Sequence, residues 1–288
     1  MLKISDILKN KEVTVSCELF PPKPGGTLEN SKKIVREIAE LSPSFMSVTY
    51  GAGGIGSHNT LEIANEIQNV NNVTALTHLT CVGSGKDEII ATLNQLSANG
   101  IKNILALRGD FPEGEVGEPG DYKYASELTE MILKQGDFCV GGACYPEGHP
   151  ESATLQKDIE HLKVKVESGC RFLTTQMFFD NNILYSFMFR LLKSGVDVPV
   201  IAGIMPVTHP KQIERICAIS GTALPPRLKV IVDRFSHNPA AMKQAGIAYA
   251  AEQIIDLIAN GINHIHIYTM NKPAIAGSIM GNLSNIFK

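Results

Sequence analysis

The sequence predicts an α/β protein, a single (β/α)8 TIM barrel formed by residues 1–288 as one domain. Short apolar runs alternate with helical patterns along the chain, as in barrels and other parallel α/β folds. The apolar runs are rich in Val, Ile, Phe and Thr and too continuous for a half-exposed sheet, which indicates parallel strands covered on both faces. Several runs end in polar residues, among them Glu18, His78, Asp110 and Tyr145. In barrels, ligands bind at that end of the strands.

Eight runs have the length and composition of buried strands. They are Val13–Leu19, Phe45–Tyr50, Val73–Leu79, Ile101–Leu107, Phe138–Tyr145, Phe172–Phe178, Val198–Met205 and His264–Tyr268. In a closed parallel barrel the carboxyl ends of all strands meet at one rim. The polar residues that end these runs are therefore expected to surround one site.

Amphipathic patterns between the strands predict helices. They cover Thr27–Leu41, Ser57–Val70, Lys86–Asn99, Ala125–Gln135, Ser152–Ser168, Asn182–Ser194, Lys211–Ser220 and Pro239–Asn260. An extra helical segment is predicted to run to Phe235. Glycines are expected to end five helices, at Gly100, Gly169, Gly195, Gly221 and Gly261. The segment Phe111–Tyr122, rich in Pro, Gly and acidic residues, predicts a long loop over the rim that serves as a lid.

Composition narrows the class of protein. The formal net charge of -3 leaves no electrostatic footprint for nucleic acid. No run approaches the ~20 apolar residues that span a bilayer, and the N-terminus lacks the apolar stretch of a signal peptide. The six cysteines show no C-x-x-C spacing and lie mostly within apolar runs, as reduced buried thiols do. We therefore expect a cytoplasmic protein that binds neither nucleic acid nor membrane.

The segment Gly51–Gly56 matches the dinucleotide-binding pattern G-x-G-x-x-G, after a strand and before a helix. A Rossmann fold would place an acidic residue at the end of the next strand. This sequence has His78-Leu79-Thr80 there, and it has eight strands rather than six. The favoured interpretation is a rim loop of a barrel, in which glycines let the backbone approach a ligand closely.

Two predicted strand ends carry acidic residues. Glu18 lies within an apolar strand and is followed by Pro21 and Pro22, and an unused carboxylate there would be unfavourable. Burial favours the protonated carboxyl, which suits a general acid. The alternative is a buried glutamate satisfied by Arg or backbone donors. Arg108 and Asp110 place a guanidinium and a second carboxylate at the same rim.

His264 and His266 occupy alternate positions of the last strand, so both rings face one side. Metal-dependent barrel hydrolases use such a pair, and His78, His149 and Asp110 could complete a ligand set. In those enzymes, however, the pair usually lies on the first strand. We therefore expect no metal and interpret the pair as packing behind the barrel, with the hydrolase as an alternative.

The helix predicted after the fifth strand carries Asp158, His161 and Lys165 on one face. A cation there could hold a phosphate or pyrophosphate, whereas a surface ion pair of Asp158 with a nearby Lys is the alternative. The chain has no nucleophile elbow and no P-loop. The remaining candidates are one acid, an Arg–Asp corner, aromatic residues and amides. This set suits a site in which a bound organic cofactor carries out the electron transfer.

In its motifs the chain resembles the methylenetetrahydrofolate reductase family, and in particular its short bacterial form, a catalytic barrel. The matching stretches follow in order along nearly the whole chain: Ser16–Pro22, Ser47–Ala52, His78–Cys81, Ala106–Asp110, Tyr145–Glu151, Thr175–Asp180, Gly203–Val207 and Tyr268–Asn271. The resemblance implies an enzyme that holds FAD non-covalently and reduces 5,10-methylenetetrahydrofolate to 5-methyltetrahydrofolate. It also implies a ping-pong scheme, in which a reduced nicotinamide delivers hydride to the flavin and leaves before the folate binds.

The resemblance implies roles for individual residues as well. Glu18 matches the acid that protonates the folate, and Asp110 matches the carboxylate close to both flavin and pterin. The implied FAD contacts are Tyr50, Ala52, His78, Arg108, Gly109, Asp110, Tyr124, Ala125, Tyr145, His149, Asp158, His161 and Lys165. The implied substrate contacts are Thr49, Asp110, Gln176, Gln212 and Lys272.

Some positions depart from the enteric-type enzymes. Lys272 stands where those enzymes have an arginine that contacts folate, and Ile216 stands where they have a phenylalanine. Lysine keeps the charge of arginine but loses its planar fork. Some anaerobic members of the family take electrons from a partner iron–sulfur protein, so the alternative to NADH is a protein donor. We expect a homo-oligomer or a complex with an electron-transfer subunit.

Overall fold

The computed structural model describes residues 1–22, 25–50, 56–110 and 120–287. Eight parallel strands pair in sequence order, and the last pairs with the first to close a barrel. The strands are β1 Thr14–Leu19, β2 Phe45–Val48, β3 Ala75–Thr80, β4 Asn103–Leu107, β5 Cys139–Cys144, β6 Phe172–Thr175, β7 Val200–Ile204 and β8 His264–Tyr268. The predicted (β/α)8 barrel is thereby confirmed.

Helices surround the barrel and close one end of it. They are α1 Ile4–Asn10, α2 Leu28–Ala39, α3 Gly56–Asn65, α4 Lys86–Ala98, α5 Ala125–Gln135, α6 Leu155–Glu167, α7 Asn181–Ser194, α8 Pro210–Ser220, α9 Pro226–Phe235, α10 Pro239–Ala259 and α11 Pro273–Asn282. The predicted extra segment that runs to Phe235 is α9. The five glycines expected to end helices all have positive φ, between 69° and 109°.

Two helices were not predicted from the sequence. The last two helices of the predicted strand–helix alternation are α8 and α10. Both lie between β7 and β8, and the helix that follows β8 is α11. Ile4, Ile7 and Leu8 show the spacing that could have predicted α1, and Pro273 marks the first turn of α11.

Most predicted boundaries lie within two residues of the observed ones, and three predicted segments differ by more than that or in helix type. The strand predicted to reach Phe178 ends at Thr175, because Phe178 packs into the layer between helices and sheet. The helix predicted over residues 57–70 becomes π-helical from Glu66, whose buried carboxylate accepts a hydrogen bond from Arg36 Nε at 2.9 Å. The helix predicted from residue 152 starts at Leu155, because the Thr154 hydroxyl caps it by accepting from the Lys157 N–H.

Side chains alternate across each strand and divide the core into layers. On β1, Val15, Cys17 and Leu19 face the surrounding helices. The side chains between them therefore face the inside of the barrel. At the amino-terminal end of the strands the interior is apolar and is closed by α1, in a cluster of Ile4, Ile7, Leu8, Phe45, Leu76, Leu105, Cys139, Phe172 and Ile201.

The opposite end of the barrel is lined by polar groups and remains open to a ligand. Among the described residues, no helix is long and apolar enough to cross a membrane. The predicted lid lies outside the described residues from 111 to 119, and so do residues 51–55 of the glycine-rich segment.

Candidate active site

A cavity of about 420 Å³ opens at the carboxyl ends of the strands. Its polar and aromatic lining comes from several strand ends and the loops that follow them: Glu18, Asp110, Tyr145, His149, Glu151, Gln176, Ser220 and Tyr268. Its apolar lining consists of Phe20, Pro150, Met177, Met205, Ile216, Ile219 and Met270. The structure thus brings together five of the predicted site residues, namely Glu18, Asp110, Tyr145, His149 and Gln176. A mainly apolar wall with few polar groups is the usual form of a site for an organic ligand.

Glu18 lies near the carboxyl end of β1, faces inward, and is 7% exposed. Its Oε2 lies 3.7 Å from His78 Nε2 and 3.8 Å from His266 Nε2. Its backbone carbonyl accepts a hydrogen bond from the Thr269 hydroxyl at 2.6 Å, which fixes the strand end. The carboxyl group is therefore held between two imidazoles at the cavity wall, and neither Arg nor a backbone donor is its close partner among the described contacts.

His78 contacts Glu18 rather than lining the open part of the cavity. It is 6% exposed, and its Nε2 has no hydrogen-bond partner among the described residues. Burial lowers the pKa of His78 to about 4, with the Glu18 charge opposing that effect and His266 adding to it. The ring is therefore neutral at neutral pH.

The interpretation that His264 and His266 pack behind the barrel is wrong. His266 is 2% exposed and lies inside, stacked on Phe45 at a centroid distance of 6.3 Å. His264 lies at the opposite end of β8 and meets the Thr14 hydroxyl at 3.1 Å. The two rings therefore do not converge on one point. Within the described part of the chain, no group of three or more His, Cys, Asp or Glu residues could hold a metal ion.

The corner after β4 is built by Arg108, Gly109 and Asp110. The Arg108 guanidinium forms a two-pronged ion pair with Glu151, which includes an Nη2–Oε1 distance of 2.6 Å. Sequence analysis did not predict this partner. Gly109 has φ of 87°, and a Cβ there would lie 3.0 Å from Cβ of Thr80. Asp110 is exposed and lines the cavity.

Tyr145 and His149 form an aromatic wall on the loop after β5. Their rings meet edge to face with centroids 4.6 Å apart. Burial raises the pKa of Tyr145 to about 12 and lowers the pKa of His149. Both side chains are therefore uncharged at neutral pH and offer flat faces and hydrogen-bonding edges to a ligand.

The helix α6 presents Asp158 and Lys165 toward the barrel rather than as a surface ion pair. Asp158 is 6% exposed and accepts a hydrogen bond from the Ser152 hydroxyl at 2.9 Å. Lys165 Nζ donates to the Ala143 carbonyl oxygen at 2.6 Å, and burial lowers the pKa of this lysine. Its stem passes over Gly142, where a Cβ would lie 2.6 Å from Lys165 Cδ. His161 is exposed on the same helix.

The other predicted contacts lie around this site at various depths. Thr49 and Tyr50 follow β2 and are half-buried, whereas Tyr124 is 51% exposed at the start of α5. Ala125, next to it, is buried. Lys272 is exposed at the start of α11 and is not among the residues that line the cavity. Ala52 and the side chain of Gln212 lie outside what the structure describes.

Sequence reasoning missed several residues that shape the site. Ser16 and Ser47 contact His266. Ser16 lies two residues before Glu18 on β1, and Ser47 is paired with Glu18 across β1 and β2, so all three side chains face the inside of the barrel. Tyr268, expected at the rim as the end of the last strand but given no role there, lines the cavity and donates its hydroxyl to the Thr175 carbonyl oxygen at 2.6 Å. The Asn271 amide, on a residue with φ of 55°, makes two 2.9 Å hydrogen bonds to the Phe20 backbone and fixes the β1 and β8 exits together.

Comparison with known proteins agrees with the resemblance seen in the sequence. The family model for methylenetetrahydrofolate reductase matches residues 3–284. The chain belongs to this family. The Escherichia coli K12 protein 5,10-methylenetetrahydrofolate reductase is 32% identical over 94% of this chain and 91% of its own length. The Arabidopsis thaliana protein methylenetetrahydrofolate reductase (NADH) 1 is 34% identical over 99% of this chain.

The relatives differ in length, and the solved structures are more distant. The chain spans 50% of the Arabidopsis relative, so it covers about half of the plant proteins and most of the short bacterial ones. An uncharacterized protein from Clostridium thermocellum that binds two copies of 5-methyl-5,6,7,8-tetrahydrofolic acid superposes with a TM-score of 0.67. It covers 99% of this chain and 100% of its own at 15% identity, a likeness that shows the fold alone.

Proposed function

We propose that this chain catalyses the FAD-dependent reduction of 5,10-methylenetetrahydrofolate to 5-methyltetrahydrofolate. The observation that carries the proposal is the position of Glu18, a buried carboxyl at the wall of an apolar and aromatic cavity that Asp110 also lines. A proton donor and a second carboxylate beside one binding space suit a reaction in which a substrate nitrogen must gain a proton. Family membership supports the same reaction.

The residues present fit a flavin dinucleotide. Gly109, with its positive φ and no side chain, gives the chain a tight turn directly before Asp110, which lines the cavity. Tyr145 and His149 offer flat uncharged faces, and Arg108 and Lys165 are cations suited to phosphate that would exchange Glu151 and the Ala143 carbonyl oxygen for it. When bound, FAD supplies the capacity to accept a hydride from the electron donor and to pass it to the folate. The chain's own residues bind it and shape the space beside it.

Glu18 is assigned the proton transfer. Its carboxyl is shielded from bulk water, and it sits beside the space where a folate would bind. In its protonated form it can deliver a proton to a nitrogen of the five-membered folate ring and so favour ring opening. Asp110, exposed at the cavity rim, would support positive charge on the pterin, and Gln176 offers an amide from the end of β6.

NADH is the proposed electron donor. Relatives of this chain in Arabidopsis thaliana and Zea mays are named as NADH enzymes. The donor is tested apart from the folate reaction by offering NADH, NADPH and a low-potential chemical reductant to the flavin-loaded protein under anaerobic conditions. Bleaching of the flavin by NADH supports the proposal. Bleaching by the low-potential reductant alone would replace NADH with a partner electron-transfer protein.

The flavin itself is tested by purification and reconstitution. The proposal predicts a yellow protein, or one that takes up FAD stoichiometrically, and reoxidation of its reduced flavin by methylenetetrahydrofolate with formation of methyltetrahydrofolate. A protein that never binds FAD would overturn the flavin assignment. A flavoprotein whose reduced form does not react with the folate would overturn the substrate assignment.

A further inference from the structure

His266 has no role in the reaction as described above, yet it is among the most enclosed polar side chains near Glu18. Both ring nitrogens have polar neighbours. Its Nδ1 lies 2.7 Å from the Ser16 hydroxyl, and its Nε2 lies 3.3 Å from the Ser47 hydroxyl and 3.8 Å from Glu18 Oε2. The ring also stacks on Phe45 and meets Tyr268 edge to face at 5.4 Å.

The Ser16 hydroxyl decides which nitrogen of a neutral His266 carries the proton. Ser16 has one hydroxyl hydrogen, and it donates to the Ile265 carbonyl oxygen at 3.1 Å. When that hydrogen points to Ile265, the Ser16 oxygen is left to accept and His266 Nδ1 is the donor in the 2.7 Å contact, whereas a hydroxyl turned toward Nδ1 would reverse these roles. In the first arrangement the Nε2 atom of the neutral ring presents a lone pair to Ser47 and Glu18.

A lone pair facing a carboxyl group favours the protonated carboxyl. An ionised Glu18 would bring negative charge toward the Nε2 lone pair, whereas a protonated Glu18 can donate its hydrogen to it. His78 can fit the same arrangement from the other side, because its Nε2 lies 3.7 Å from the same oxygen and has no other described partner. Catalytic hydrogen bonds are often long in the free protein and shorten when ligands bind.

We propose that His266, held by Ser16 in the tautomer with hydrogen on Nδ1, is a positioning residue that keeps the acidic proton on Glu18 for the folate step. The inference rests on the proposed function of Glu18 as the acid. It adds a second residue that acts through Glu18 and does not itself contact the folate.

Glu18 is faced by a small set of titratable groups. His78 comes from β3, His266 and Tyr268 come from β8, and Asp110, Tyr145, His149 and Glu151 line the same cavity. Burial raises the pKa of Tyr268 well above its usual value, so this phenol stays neutral. The other titratable groups, including His78 and Asp110, are unchanged in a His266 variant. A change in the pH dependence of the folate step is therefore assigned to the loss of His266.

The first test concerns the tautomer and does not depend on catalysis. Nitrogen-15 NMR of the purified protein with labelled histidine, assigned by loss of signals in His266→Gln, reports which ring nitrogen carries hydrogen. The proposal predicts hydrogen on Nδ1 at neutral pH. Hydrogen on Nε2 in the neutral ring would overturn it, because no lone pair would then face Glu18.

The second test separates the two half-reactions. His266→Phe keeps a flat ring for Phe45 and removes both nitrogens, while His266→Gln can place an amide oxygen near the lost Nε2. In His266→Phe, folate reduction at neutral pH is expected to slow by roughly tenfold, which corresponds to about 1.4 kcal/mol of lost stabilisation of the protonated acid. The basic limb of its pH profile should move to lower pH. Flavin reduction by the electron donor should keep its rate, and His266→Gln should recover most of the loss.

The control is His264→Gln, on the same strand but at the far end of the barrel, which should change neither half-reaction. An unshifted pH limb in His266→Phe, or equal slowing of both half-reactions, would overturn the positioning role in favour of a structural one. Failure of the unsubstituted protein to reduce the folate would overturn the proposed function instead. The NMR result would still decide whether His266 presents a lone pair to Glu18.

Discussion

Gly203 is the position at which one methyl group tests the geometry of the cavity wall. It lies on β7, paired with His266 of β8, and its N–H donates to Thr175 Oγ1 at 2.8 Å. The Tyr268 hydroxyl donates to the Thr175 carbonyl oxygen at 2.6 Å. A Cβ at position 203 would lie 2.5 Å from that carbonyl oxygen and 2.6 Å from the hydroxyl. We predict that Gly203→Ala displaces the Tyr268 ring and opens this hydrogen bond.

The expected cost follows from these two contacts. One is to backbone and the other is to a ring fixed by its own hydrogen bond, so neither can yield freely. Overpacking of a filled core destabilises by about 1–3 kcal/mol, and loss of one buried hydrogen-bond partner costs about 1–3 kcal/mol. We therefore expect the free energy of unfolding to fall by about 3 kcal/mol, a large part of the ~5–15 kcal/mol of a typical domain.

Urea unfolding followed by circular dichroism measures this difference. The matched control is Gly281→Ala near the end of α11, where a Cβ meets nothing within 4 Å. Alanine is favoured over glycine within a helix by about 0.5–1 kcal/mol, so the control should be neutral or stabilised. A Gly203→Ala protein as stable as its parent would refute the packing of Gly203, Thr175 and Tyr268 described here.

Three further predictions concern residues around the cavity. The pKa of His78 is about 4 when folded and 6.5 when unfolded, so the unfolded chain binds a proton that the folded chain does not between these pH values. Acidification through this window should lower the free energy of unfolding by up to about 3 kcal/mol in the parent, and measurably less in His78→Phe, as urea titrations at several pH values would show. Lys165→Met keeps the stem that passes over Gly142 but removes the donor to a backbone carbonyl, so the protein should fold and retain less FAD after gel filtration; unchanged FAD retention would remove this lysine from the proposed site. Gly109→Ala should destabilise by about 1–2 kcal/mol because φ is 87°, and a stability equal to the parent would contradict that backbone conformation.

The barrel could be predicted because its strands are covered on both faces. They therefore appear in the sequence as short apolar runs that alternate with amphipathic helical patterns. The predicted run His264–Tyr268 has the same bounds as β8. Isoleucines alternate with His and Tyr along it, which is the pattern of a strand with two different faces. The run to Phe178 was predicted too long, because continuous apolarity does not distinguish a strand from a following loop that packs under a helix. The helix α1 was not predicted, because three apolar residues at helical spacing within seven residues are a weak signal until the apolar end of the barrel that they cover is known.

Residues of the site that end predicted strands could be predicted from the sequence, whereas their partners on other strands could not. Glu18 and Asp110 follow from their positions at strand ends, which the sequence shows directly. The Glu151 partner of Arg108 and the Ser16 and Ser47 partners of His266 depend on which strands become neighbours. Such contacts join residues far apart in the chain, and no local pattern contains them.

If Glu18 supplies a proton to the folate, its replacement by Gln should impair only one of the two half-reactions. The matched control is Glu37→Gln, an exposed glutamate on α2 that pairs with Lys33. Stopped-flow absorbance of the flavin under anaerobic conditions follows its reduction by the donor and its reoxidation by methylenetetrahydrofolate separately. We predict that Glu18→Gln keeps flavin reduction close to the rate of the control and slows reoxidation by about 10²-fold or more. Reoxidation at the control rate, or loss of both steps together, would contradict the acid role of Glu18.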